Sequence, residues 1–136
     1  MKRRVSFDKI FLCTIDELRC LTGVPIEVVR DKDALAVSFA ATVLDCVRRA
    51  NARRKQAVII MPVGPTGQWK LMADVAAREG INLSRLSIIQ MDEYLDIHSR
   101  RVSRSDPFSF TGFVWSAFGE KAAQRCGFQK KNWIVP

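Results

Sequence analysis

The chain has 136 residues, of which 48% are hydrophobic and 26% charged, and its 22 Lys and Arg against 14 Asp and Glu leave a formal charge of +8. A domain of this length buries roughly 68% of the surface that its unfolded chain exposes, so a true core is possible, and the balanced composition excludes a disordered, collagen-like or repetitive chain. No uncharged apolar run approaches the ~20 residues that span a bilayer, and the basic start "MKRR" leads into "VSFDKIFLC", where Asp8 and Lys9 interrupt any signal-peptide core; a cytoplasmic protein with no membrane partner is expected.

In chain order, the β-branched run "PIEVVR" (Pro25 to Arg30) predicts a strand. A helix follows behind Asp31 and Asp33, with Leu35, Phe39, Val43 and Val47 at four-residue spacing. "AVIIMPV" (Ala57 to Val63) is apolar on both faces, which predicts a strand in the middle of a parallel sheet. The loop Gly64-Pro65-Thr66-Gly67 leads into "QWKLMADVAAREG", of helical composition and closed by Gly80. "LSIIQM" (Leu86 to Met91) is another strand, delivering the chain into the polar, Arg-rich "DEYLDIHSRRVSRSDP", too long for a simple turn. "FSFTGFVWSAFGEKAAQRCG" predicts a helix made less regular by Gly112 and Gly119 and ended at Gly127, and "FQKKNWIVP" approaches a further strand. This alternation of strand and helix predicts a single α/β domain over residues 1–136, with a Rossmann-like parallel sheet and flanking helices.

Ligands of such sheets bind outside the carboxyl ends of the strands. Two segments belong there. Around Gly64 to Gly67, free backbone N–H groups and the positive end of a helix dipole suit an anion such as phosphate, although Pro65 supplies no donor and a bare tight turn would use the same residues. In "MDEY", Asp92 and Glu93 cannot face the same way in extended chain, so at most one faces the crevice, as a proton-transferring carboxylate or simply as part of a solvated turn. Cys13, Cys20, Cys46 and Cys126 form no CxxC pair and the sole histidine is His98, so the spacing of a zinc site is absent and reduced, structural thiols are expected. His98, among Ser99, Arg100 and Arg101, reads as solvated; Trp69 and Trp115 read as core. The basic doublets, from Arg3 and Arg4 to Lys130 and Lys131, are scattered rather than striped, so nucleic acid is not the expected partner.

Taken in order, "MPVGPTGQ", "IIQMDEYLD" and "SDPFSFTGFVWSAF" resemble the amino-terminal half of a glucosamine-6-phosphate deaminase (isomerase), over about Ala57 to Phe118 and more loosely up to Pro25. The loop resembles a divergent branch with Gly-Pro-x-Gly-Gln. The resemblance implies no metal or other cofactor, and conversion of an amino-sugar phosphate to a ketose phosphate with release of ammonia. Asp92 matches the carboxylate that moves a proton between C2 and C1 through an enolamine-like intermediate. Gly64, Pro65, Thr66, Gly67 and Gln68 match part of the phosphate-holding loop, and Glu93 joins them as a substrate-binding residue. The chain departs from the pattern at Asp106, where the branch has His before Pro107, and in retaining only the Thr66 hydroxyl in the loop. The family's second half, with the ring-opening His and its partner acids, has no counterpart up to Pro136, so an incomplete fragment is expected, with an open strand edge and uncovered apolar surface; the full-length protein is expected to be a homo-oligomer. A phosphosugar lactonase of the same fold, or a non-catalytic sugar-phosphate or nucleic-acid binding module, are the alternatives.

Overall fold

The computed structural model describes residues 12–136. The expectations about the basic start, with Asp8 and Lys9, lie outside the described residues. Along the chain two units divide between Arg30 and Asp31.

The first unit contains helix α1 (Ile15–Thr22), which the hydrophobic pattern did not predict. Its signal is polar: the Thr14 hydroxyl accepts from the Glu17 N–H at 3.3 Å, and the Thr14 N–H donates to the Glu17 carboxylate at 2.7 Å, a reciprocal cap written as Thr-x-x-Glu. Gly23, at φ 64°, closes it. The segment 25–30 forms no strand, contrary to expectation. β-Branched residues make a strand only where a neighbour accepts their backbone groups, and among the described residues none pairs with it.

In the second unit, α2 (Lys32–Ala52) starts at Asp31, whose carboxylate accepts from the Ala34 N–H at 2.7 Å. Its buried stripe is Ala36, Ala40, Val43, Leu44 and Val47. The upper part lies one residue along from the predicted Leu35 and Phe39, because small alanines let the next helix approach: a side chain at Gly67 would meet the Ala36 methyl at 3.1 Å. Strand β1 (Ala57–Met61), helix α3 (Gly67–Arg78) and strand β2 (Leu86–Gln90) follow. Then come α4 (Phe110–Val114), a π-helical turn at Trp115–Gly119, α5 (Glu120–Cys126) with Gly127 in the left-handed conformation at φ 74°, and the two-residue strand β3 (Trp133–Ile134).

The strands are parallel in the order β1-β2-β3, with Met61 opposite Gln90, and Ile60, Ile89 and Ile134 in one cross-strand row. This is the α/β fold expected, with a further correction: among the described residues β1 is an edge strand and β2 is central. Right-handed crossovers moving one way along a sheet put both helical connections on the same face. That face holds Ala57, Met61, Leu86 and Ile88, which pack with Leu44, Trp69, Met72 and Phe118 in one core. Full burial of each large apolar side chain there contributes roughly 1.5–3 kcal/mol. On the other face Val58 and Ile60 are 58% and 65% exposed, so the two-sided apolarity of "AVIIM" did not signify two-sided burial.

Two close contacts accompany the π-helical turn. The Trp115 ring lies against Gly119, where a Cβ would collide with it, and the carbonyl of Arg104 approaches Gly112 just as closely. Glycine at both positions admits these contacts, and the irregularity expected from them falls between them.

Candidate functional site

Because Met61 and Gln90 are register partners and the Met91 N–H donates to the Met61 carbonyl at 3.0 Å, the chain leaves β1 and β2 from one corner of the sheet. Each exit leads into one of the segments singled out in the sequence.

After β1, Val63 is buried and its carbonyl accepts from the Trp69 indole N–H at 2.9 Å and from the Gln68 amide at 3.3 Å. These bonds tie the strand end to the first turn of α3 and bracket the loop between them. The Gly64–Pro65 peptide is cis, Gly64 to Gly67 are exposed, and the Thr66 hydroxyl caps no backbone group. A Cβ at Gly67 would stand only 3.1 Å from the Ala36 methyl, a tight contact, whereas nothing lies within 4 Å of one built at Gly64. The first N–H groups of a helix as long as α3 lack intrahelical acceptors and carry the positive end of its dipole. Gln68 itself is fully buried, and its amide oxygen has no partner among the described residues.

After β2, Gln90 is also buried, donating to the Asp92 carbonyl at 2.7 Å, and among the described residues its own amide oxygen has no partner. Asp92 and Glu93 then diverge, as extended chain requires. Glu93 turns inward to the start of α4. It accepts from the N–H groups of Tyr94 (2.9 Å), Phe110 (2.9 Å) and Thr111 (2.7 Å) and from the Ser109 hydroxyl (3.2 Å). Burial pushes its carboxyl up, but the bonds from Thr111, Tyr94 and Phe110 together outweigh this and hold it below the ordinary carboxylate value. Its oxygens are thus engaged by protein donors rather than free for a substrate. Asp92 is the exposed acid of the pair.

The long loop after Tyr94 is ordered locally. Asp96 accepts from the N–H groups of His98 (2.8 Å) and Arg100 (3.0 Å) and pairs with the Arg100 guanidinium, while Leu95 bridges to Arg101. His98 is exposed, in agreement with its reading as solvated. Trp69 is fully buried against Phe118, but Trp115 is only half-buried and stacks on Trp133, with centroids 5.4 Å apart, instead of entering the core. Cys20, Cys46 and Cys126 are thiols outside any disulfide; Cys126 is buried, and burial raises its pKa. Sequence reasoning missed Gln90, Ser109, Thr111 and the bases beside Trp133. Only the Ser109 helix cap had a local signal.

Among the described residues no helix is long and apolar enough to cross a membrane. No known family's sequence profile matches the chain, and no curated protein matches it in sequence. In three dimensions it is similar to a monomeric glucosamine-6-phosphate deaminase of the NagB superfamily, with a TM-score of 0.66 and 16% identity over 83% of this chain. The match covers 42% of the deaminase, so this chain spans less than half of that structure, and the likeness is one of fold: α/β, built on a parallel sheet.

Proposed function

We propose that this chain carries the phosphate-holding and proton-transferring part of a sugar-phosphate isomerase/deaminase, acting on an amino-sugar phosphate to give a ketose phosphate and ammonia. The observation that supports it is the common corner of the sheet from which the loop Gly64 to Gly67 and the Asp92 segment both leave, in a fold shared with a deaminase. In this reading the loop and the start of α3 receive the phosphate. Asp92, the carboxylate not committed to a helix start, takes the proton from C2 and returns it to C1. Glu93 holds α4 in place and acts as a positioning residue.

The test is ammonia release from glucosamine 6-phosphate in deuterated water, with deuterium followed at C1 of the product. Asp92→Asn is expected to lower both by about 10²–10⁴, the range of a general base. An undiminished rate in that variant refutes the assignment. A second reading, a sugar-phosphate binder without catalysis, is favoured by the exposure of Asp92; it predicts saturable binding of the same compound with no ammonia from the wild-type protein.

A further inference from the structure

A cavity of about 320 Å³ opens at the carboxyl ends of β2 and β3, lined by Glu93, Arg101, Arg104, Thr111, Lys130 and Trp133. Three separate segments bring bases to it. Arg101 comes from the end of the ordered loop and donates to the Val135 carbonyl at 3.3 Å. Arg104 and Lys130 lie over the Trp115 ring, 4.8 and 5.7 Å from its centroid. Among the described residues none of the three has a carboxylate partner, although the same loop pairs its neighbour Arg100 with Asp96. Cation–π contact holds a guanidinium or ammonium in place without neutralising it, so the two cations are positioned and still unmatched. The carboxylate in the wall is Glu93, whose oxygens already accept from the start of α4. The indole N–H of Trp133, a residue of the same wall, is buried and lacks an acceptor among the described residues.

Three cations against one engaged carboxylate leave the cavity strongly positive. Its size is at the lower bound of ligand pockets, roughly 300–1,000 Å³, which suits a small anion better than a nucleotide or a nucleic-acid strand. A monocarboxylate would match one of the bases, whereas a phosphate dianion offers three terminal oxygens to donors converging from several sides, and guanidinium groups can meet two at once. We propose that this cavity binds a terminal phosphate group, free or carried by a small ester, through Arg101, Arg104 and Lys130. It uses neither Asp92 nor the loop after β1, and it stands whether or not the deaminase reading does.

The test is a titration of the ¹⁵N-labelled protein with inorganic phosphate and with glycerol 3-phosphate, against sodium chloride at matched ionic strength. Saturable shifts are expected at Thr111 and across Lys130 to Ile134, strengthening as the pH rises through the second ionisation of each probe, about 6 for the ester and about one unit higher for inorganic phosphate. Tighter binding of glycerol 3-phosphate identifies an ester as the ligand, and equal binding identifies the free ion. The double variant Arg104→Gln/Lys130→Gln should weaken binding at least tenfold, with Arg104→Lys/Lys130→Arg retaining most of it and circular dichroism reporting the fold of both. Shifts confined to Gly64 to Trp69 overturn the proposal while supporting the loop as a phosphate seat. A response equal to that of sodium chloride, an undiminished affinity in the double variant, or preference for an RNA oligomer overturns it outright.

Discussion

Replacing Glu93 by Gln keeps the shape of the side chain and removes its charge. The carboxylate accepts from three backbone N–H groups and one hydroxyl, and two of those N–H groups begin α4. A glutamine retains one acceptor oxygen and turns an NH₂ towards the donors that met the other. A net hydrogen bond to a charged group is worth about 1.5–3 kcal/mol, and a carboxylate at a helix start adds about 0.3–1. Partial exposure discounts both, which leaves about 2 kcal/mol for Glu93→Gln near pH 7. A chain of this length lies between the small-domain and large-domain ranges, so each kcal/mol shifts Tm by about 3–5 °C and the variant should melt about 6–10 °C lower. The sign of the pH effect follows from the depressed pKa of Glu93. The stabilisation is complete above the carboxyl's ordinary value of 4.5 and is lost as the pH falls through the lower folded-state value. Thermal melts of both proteins from pH 7 down to pH 3 should therefore converge. A gap that persists at pH 3, or is under 2 °C at pH 7, refutes the anchoring role.

Two further substitutions test the packing around the site. Trp69→Phe keeps an aromatic ring on Phe118 but removes the indole donor to Val63, and should cost about 1–3 kcal/mol in urea unfolding, with faster amide exchange at Gly64 and Thr66; unchanged exchange would show that the loop is not held through that carbonyl. Gly119→Ala drives a methyl group into the Trp115 ring and should destabilise by about 1–3 kcal/mol while shifting Trp115 fluorescence; equal stability would mean that the π-helical turn has another cause.

The alternation of strands and helices was legible because the buried runs 57–61 and 86–90 and the helix starts are written locally. Strand order was not: Val58 and Ile60 are as apolar as central-strand residues, and only the topology shows that one side of β1 faces water. The adjacency of the two loop segments followed from sheet rules, but the division of labour between Asp92 and Glu93 did not. It depends on where α4 begins, and the contacts that claim Glu93 lie 16 to 18 residues along the chain. The basic cavity was hidden for the same reason. Arg101, Arg104 and Lys130 are scattered bases in the sequence, and what unites them is the return of the chain at Trp133 to the edge of β2.

The row Ile60, Ile89 and Ile134 runs across the face of the sheet away from the helices, and its two end members are 65% and 51% exposed. At roughly 25 cal/mol for each Å² moved out of water, anything that supplies hydrocarbon there gains free energy, such as a detergent tail or the wall of a plastic tube. Within this unit the sheet face bearing that row therefore favours apolar contact, while its opposite face is already covered by helices.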